Sequence, residues 1–337
     1  MEVWIPINPK VSVIIVNYNG APLLDKLFSS LQIQTFKDFE VIFVDNLSRD
    51  NSLQIAESFV ANSSYINVVK LSSNQGFCKG NNVGLEYSKG EYIVLLNNDT
   101  YVSPTWLEHL VKVMDTDASI GACQSKIIDY VNKHVVLGNY VGVYGKAQSS
   151  NNLRRDGDIF NGLFYAAGTS VILRRSAIAE IGYLFDDKQF TGDMDLSWRL
   201  RLRGFNVVTS LSSVCHHFQG YSSRLVLKNQ LNISFVVSKD AIRTFIRNYG
   251  TESFFKRSPL FFSFLSVIAF YETLEFKVPA MVSLVKAIVL NISSFKEVWL
   301  GHLKIQAMRK VSDKEIEQSM LPYPSELFFI RLKLLKG

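Results

Sequence analysis

Four stretches of the chain carry side chains able to hold a cation, cradle a phosphate or move a proton: Ser73 to Gly84, Asn97 to Thr100, Gly192 to Arg199, and His216-His217. Asp99 follows the apolar run Tyr92 to Leu96. A carboxylate there can hold a hard divalent ion, since Mg²⁺ and Mn²⁺ take a few oxygen ligands and complete their shells with substrate phosphate. A single Asp in a turn after a strand also serves turn formation alone. In the first stretch, Gly76, Gly80 and Gly84 let backbone amides approach a ligand, and a helix expected to begin near Asn81 would offer its N-terminus to phosphate. The stretch contains neither the Gly-x-x-x-x-Gly-Lys-Ser/Thr order nor Gly-x-Gly-x-x-Gly, which argues against a kinase and a dehydrogenase. A helix expected over Met194 to Leu202 places Asp193 and Asp195 at its positive end. They serve there as caps, or one of them acts as a general base toward an acceptor hydroxyl. A histidine after the apolar stretch Val207 to Val214 can ligate the same ion, orient a phosphate or simply pack.

The elements that must position these groups alternate regularly. Val11 to Val16, Phe39 to Val44, Val68 to Leu71 and Tyr92 to Leu96 read as buried strands, and Leu23 to Leu31 and Ser48 to Phe59 read as helices. Strand, loop and helix in this order predict right-handed βαβ units and an α/β fold, a mostly parallel sheet covered on both faces. Asn17, Asp45 and Asp99 each follow a strand, on the carboxyl edge where ligands of open α/β sheets bind. After His216-His217 the chain turns helical and aromatic-rich. We therefore expect a nucleotide-binding domain over residues 1–222 and a helical extension over 223–337.

The sequence has 47% hydrophobic residues, a net charge of +6 and a pI near 9.0. Its positive charge suits phosphorylated substrates, acidic lipid or nucleic acid alike. No Lys/Arg run interleaved with aromatics is present, which argues against nucleic acid. Three widely spaced cysteines without a CxxC pair indicate neither a disulfide framework nor a zinc knuckle, and fit a reducing cytoplasm. Ser258 to Tyr271 and Val278 to Ile292 are apolar but interrupted, short of the ~20 residues a span needs. They predict core helices or an interfacial, peripheral association, supported by basic residues at Arg331, Lys333 and Lys336 near the C-terminus.

Taken together, these segments resemble family-2 glycosyltransferases of GT-A fold, in particular the rhamnosyltransferase-like branch. The matching pieces are Val11 to Gly20, Val44-Asp45-Asn46, Asn74 to Phe77 with Gly80-Asn81-Asn82, and Leu95 to Asp99. They continue with Ala167-Gly168-Thr169, Arg174-Arg175, Phe185-Asp186-Asp187, Asp193 to Leu196 with Arg199, and His216, in the family's order. The resemblance implies a nucleotide-diphosphate sugar donor, a glycan or lipid-linked acceptor, and Mg²⁺ or Mn²⁺. It places Tyr18 against the base and has Asp45 accept from N3–H of uracil or thymine. Asn17, Gly76, Asn81 and Asn98 complete the nucleotide site, with Asn98 near the ribose. Asp99 and His216 would hold the metal and Asp193 would be the base of an inverting displacement. Asp195, Trp198 and Arg199 stand beside it on the acceptor side. The chain departs from the family in having Gly192 where Glu is usual and one carboxylate in the metal motif. A sugar-1-phosphate nucleotidyltransferase would need a cationic N-terminal loop that Asn17 to Gly20 lacks; a non-catalytic nucleotide-sugar-binding subunit would not need Asp193.

Overall fold

The computed structural model describes residues 8–61, 65–142, 147–150, 158–218, 230–276 and 280–321. The basic segment around Arg331 to Lys336 lies outside them. Twelve strands occur in the described residues: β1 (Val11–Asn17), β2 (Phe39–Asp45), β3 (Ile66–Lys70), β4 (Tyr92–Leu96), β5 (Thr100–Val102), β6 (Ile120–Asp129), β7 (Val135–Val136), β8 (Gly138–Val141), β9 (Ala147–Ser150), β10 (Ile159–Phe160), β11 (Ser170–Arg174) and β12 (Asn206–His217). The main sheet runs β10-β12-β6-β11-β4-β1-β2-β3, with β5 on β12 and β7 on β6; β8 and β9 form a separate hairpin. β3, β2, β1 and β4 are parallel neighbours, whereas β11 enters antiparallel between β4 and β6.

Alternation along the strands sorts the core into two layers, as period-2 side chains require. Val11, Val13 and Ile15 pack with Leu24, Leu27 and Phe28 of α1 (Ala21–Gln32), Ala56 of α2 (Ser52–Ala61), and Trp106 and Leu110, which lie on a further helix (Trp106–Thr116). On the opposite face, Ile14, Ile42, Ile93 and Leu95 meet Cys78 of α3 (Gly76–Tyr87). Numbering that further helix α4, the same layer includes Ala177 of α5 (Arg175–Glu180) and Leu196 of α6 (Asp193–Arg203). The central strands are apolar on both sides because both sides are covered.

The helix over Gly76–Tyr87 begins five residues before the expected Asn81. Gly76 has φ of 76°, a left-handed conformation that glycine adopts without strain, and Asn74 Oδ1 accepts its amide at 2.9 Å. Asn46 fixes the same turn, accepting the Gln75 amide at 2.7 Å and donating to Gly76 O at 3.2 Å. β12 is likewise longer than expected and contains both histidines.

The C-terminal part comprises α7 (Gln230–Asn248), α8 (Thr251–Phe276), α9 (Ala280–Ser293), α10 (Phe295–Met308) and α11 (Asp313–Gln318). The two apolar segments expected from the sequence fall on separate helices, Ser258 to Tyr271 within α8, which continues through Pro259, and the described part of Val278 to Ile292 on α9. The α8 stretch Thr251–Tyr271 is long and apolar enough to cross a membrane, by length and composition only. These helices pack on the α/β part: Ile242, Phe245, Tyr249, Phe261 and Leu284 share a core with Phe164, Trp198 and Leu202.

Candidate active site

The C-terminal ends of β1, β2 and β4 and the start of α3 border an open cleft. It is lined by Val16, Tyr18, Asn46, Asn74, Gly76, Phe77, Asn97 and Asn98 on that side, and by Gly168, Thr169, Phe190, Thr191 and Asp193 on the other. Asp193 and Asn98, 95 positions apart in sequence, thus face one space.

Beneath the first side lies a buried hydrogen-bond chain. Asn98 Nδ2 donates to Asn17 Oδ1 at 2.7 Å, and Asn17 Nδ2 donates to Ser48 Oγ at 3.0 Å and Asp45 Oδ1 at 3.4 Å. Asp45 Oδ2 accepts the Ser48 amide at 3.1 Å. Asn17 is fully buried, so it ties β1, β2 and β4 together and fixes Asn98. A Cβ on Gly20 would come 2.3 Å from Asn17 Oδ1 and 2.4 Å from Asn98 Nδ2, so this close approach demands glycine. Asp45 itself is buried beside Asn46 and does not line the cleft. Two hydrogen bonds leave lone pairs on its carboxylate for a further donor.

Asp99 is buried next to Asn98, and its Oδ1 lies 3.1 Å from His217 Nε2. The residue beside it, His216, was expected at the metal. The structure brings His217 rather than His216 against Asp99, because successive side chains of a strand point to opposite faces. His216 instead stacks on Tyr101 at 4.5 Å, a ring over which Lys26 of α1 also lies, at 3.9 Å. Burial, then Lys133 and Lys26, lower its pKa. No group of three or more His, Cys, Asp or Glu side chains able to hold a metal occurs among the described residues. Asp99 with His217 nevertheless gives one carboxylate oxygen and one imidazole nitrogen, a donor pair that suits Mn²⁺ or Mg²⁺ completed by phosphate oxygens.

The two acidic residues of α6 have separate fates. Asp195 is fully buried, 2.8 Å from Arg199 Nε, and accepts from Asn248 Nδ2 at 2.8 Å. Arg199 also donates to Tyr183 O and Leu184 O. Trp198 is buried edge-on against Phe164 and Tyr249. Asp195, Trp198 and Arg199, expected on the acceptor side, therefore form the core of the site's support and do not reach the cleft. Asn81 does not line the cleft: the earlier start of α3 puts it in the second turn, where its amide donates to Phe77 O at 2.9 Å. Its neighbour Asn82 reaches across instead, donating to Phe185 O at 2.9 Å and Asp187 Oδ1 at 2.6 Å and accepting from the Phe185 amide.

Asp193 opens α6 on the cleft wall. Its Oδ1 is buried with no hydrogen-bond partner among the described residues. Burial raises its pKa to about 6, against a lowering pull from the Gly168 amide. A carboxylate with that pKa is half ionised near pH 6 and is a stronger base than an ordinary aspartate.

The sheet and cleft are those of a GT-A glycosyltransferase. The model of glycosyl transferase family 2 matches residues 12–182, half of the chain, and the protein belongs to that family. It is 23% identical over 210 residues to a poly-beta-1,6-N-acetyl-D-glucosamine synthase of Staphylococcus aureus, covering 61% of this chain and 49% of that one. The chain thus spans about half the length of the curated relatives it matches first. Among solved structures, S. aureus TarS 1-349 in complex with UDP-GlcNAc superposes with a TM-score of 0.60 at 18% identity, covering 92% and 91% of the two chains. The mannosyltransferase PcManGT of Pyrobaculum calidifontis, in complex with GDP-Man and Mn²⁺, gives 0.55 at 16% identity over 90% and 86%.

Proposed function

We propose that the protein transfers a sugar, with inversion, from a UDP- or dTDP-sugar to a glycan or lipid-linked acceptor in cell-surface polysaccharide synthesis. The observation carrying this reading is that Asp193, with its raised pKa, lines the same cleft as Tyr18, Gly76 and Asn98. Tyr18 offers a ring to the base and Asp45 an acceptor for its N3–H. The α3 N-terminus and the Gly76 turn favour the negative diphosphate. The acceptor's hydroxyl oxygen bonds to the anomeric carbon while the bond from that carbon to the diphosphate oxygen breaks. Its proton passes to Asp193, and the electron pair leaves with the nucleoside diphosphate. Asp99 and His217 are the residues that would hold Mg²⁺ or Mn²⁺, which when bound supplies positive charge against the departing diphosphate. A synthase of a polymeric sugar among the relatives supports the polysaccharide role.

The same reading places the protein peripherally on the cytoplasmic face of a membrane. Large apolar side chains stand exposed along α8 to α10, among them Phe255, Leu260, Phe270, Leu274, Val285, Val289, Ile292 and Leu300. Exposed Lys256, Lys286, Lys296 and Lys304 stand among them. Apolar side chains mixed with cations suit an anionic lipid surface.

The test is a screen of UDP-, dTDP- and GDP-sugars for thermal stabilisation that depends on Mn²⁺ or Mg²⁺. Stabilisation by a uracil or thymine nucleotide sugar is expected. A preference for guanine contradicts the role of Asp45, and no stabilisation by any of them removes the donor assignment.

A further inference from the structure

We infer that Asp240 of α7 is a positioning residue for this reaction, holding the segment that carries one cleft wall and leads into the base. The inference rests on the reading of Asp193 as base. Asp240 Oδ2 accepts the Phe190 amide at 2.8 Å, the Thr191 amide at 2.8 Å and the Thr191 hydroxyl at 3.0 Å. Phe190 and Thr191 both line the cleft, and Gly192 and Asp193 follow them directly. Asp240 is only 2% exposed.

The same face of α7 grips the rest of the segment. Lys239 donates to Lys188 O at 2.7 Å, Gln189 Nε2 donates to Thr244 Oγ1 at 2.9 Å, and Arg243 and Arg247 both pair with Asp186. Residues 239, 240, 243, 244 and 247 recur at the three- and four-residue spacing that sets side chains on one helix face. The opposite face buries Ile242, Phe245 and Ile246 with Trp198 and Phe261. α7 is thus anchored in the core while its polar row fixes residues 186–191. Residue 240 lies behind the wall and touches neither base nor substrate space; its influence passes through two backbone amides. A buried carboxylate is a costly way to satisfy two amides, and burial pushes its pKa up against the opposing pull of Lys239. The strong charge-assisted acceptor this provides is the gain: it leaves the base one orientation.

The full chain is compared as D240A, D240N, T191V and D193N. Binding of UDP with Mn²⁺ is measured, together with kcat and KM for the nucleotide sugar that stabilises the wild type most. The titration of Asp193 is followed by carboxyl NMR. D240A should lose about 10- to 100-fold in kcat, as displacement of a catalytic group by an ångström does. UDP affinity and donor KM should stay within about twofold, and the Asp193 titration should move from that of the wild type. D240N, whose amide oxygen can accept the same donors, should regain most of the rate. Wild-type kcat in D240A beside an inactive D193N overturns the positioning role and leaves the base intact. Wild-type kcat in D193N removes the base and this inference together. An equal fall of kcat and UDP-binding capacity marks Asp240 as merely structural and also overturns it. If D240A fails to fold, T191V, which loses the hydroxyl contact to Asp240, decides: unchanged kcat and an unchanged Asp193 titration in it refute the proposal.

Discussion

The two walls of the cleft are held by different means. The wall carrying Tyr18, Asn46 and Asn98 hangs from strand ends in parallel register, Asn17 opposite Asp45, with short side-chain bonds between neighbouring strands. The wall carrying Phe190, Thr191 and Asp193 has no strand beneath residues 186–191 and is held by α7 through Asp240, Thr244 and Arg243. One wall is set by the backbone of the sheet, the other by side chains reaching across from a helix some 50 positions later. The first should resist single substitutions; the second should respond to each of them.

The largest effect is expected where the second wall meets the chemistry. Asp193→Asn should keep nucleotide binding, which belongs to the first wall, and lose transfer by about 10² to 10⁴. Steady-state rates beside UDP affinity check this, and a weakened UDP affinity would mean that the walls are not separable. With Asp193 as base, wild-type kcat/KM should rise roughly tenfold per pH unit below about 6 and level off above it.

Next is Asp195→Ala, which removes the buried partner of Arg199 and the acceptor for Asn248. An uncompensated buried charge costs about 3–5 kcal/mol. Urea unfolding should show that loss, whereas Asp50→Ala at the first wall, where the carboxylate accepts the Ala21 and Ser52 amides in a partly exposed loop, should cost about 1 kcal/mol.

The contrast between the walls also explains what the sequence could reveal. β1, β2 and β4 announce themselves as apolar runs ended by Asn and Asp, because each strand and its ligand-bearing turn are contiguous. The ordered motif set likewise pointed to the family. The seat of Asp240 left no such trace: an aspartate inside a helix looks like any solvated residue, and its partners are backbone amides of no particular residue type. That His217, not His216, lies against Asp99 was hidden for a smaller reason. Two adjacent histidines at a strand end are equivalent until the strand's phase is known, and β12 continues through both. Asn81 sits off the cleft because the Gly76 turn starts α3 earlier than its polar residues suggested, and the burial of Asp195 with Arg199 follows from helix phase against a core built largely by α7.

The histidine pair gives the next test. Asp99→Ala and His217→Ala should each weaken Mn²⁺-dependent stabilisation by UDP by about tenfold or more in apparent affinity. His216→Ala, on the Tyr101 side, should leave it within about twofold. Equal losses in both histidine variants would mean that the strand's phase does not decide the ligand.

The smallest effect has the opposite sign and concerns stability alone. Asp193 is held with a pKa of about 6 against an ordinary 3.8. Across that window the folded chain keeps a proton that the unfolded chain has released, so stability contributed by this group falls as pH rises from 3.8 to about 6 and is lost above it. Asparagine cannot ionise and escapes that fall. Asp193→Asn should therefore melt a few degrees higher than wild type at pH 7.5 and at the same temperature near pH 3.5, with the residue's partial exposure keeping the gain modest. A variant that is inactive yet gains its extra stability as pH rises from 3.8 to about 6 ties the lost rate to this carboxylate, because a damaged wall would melt lower at both pH values.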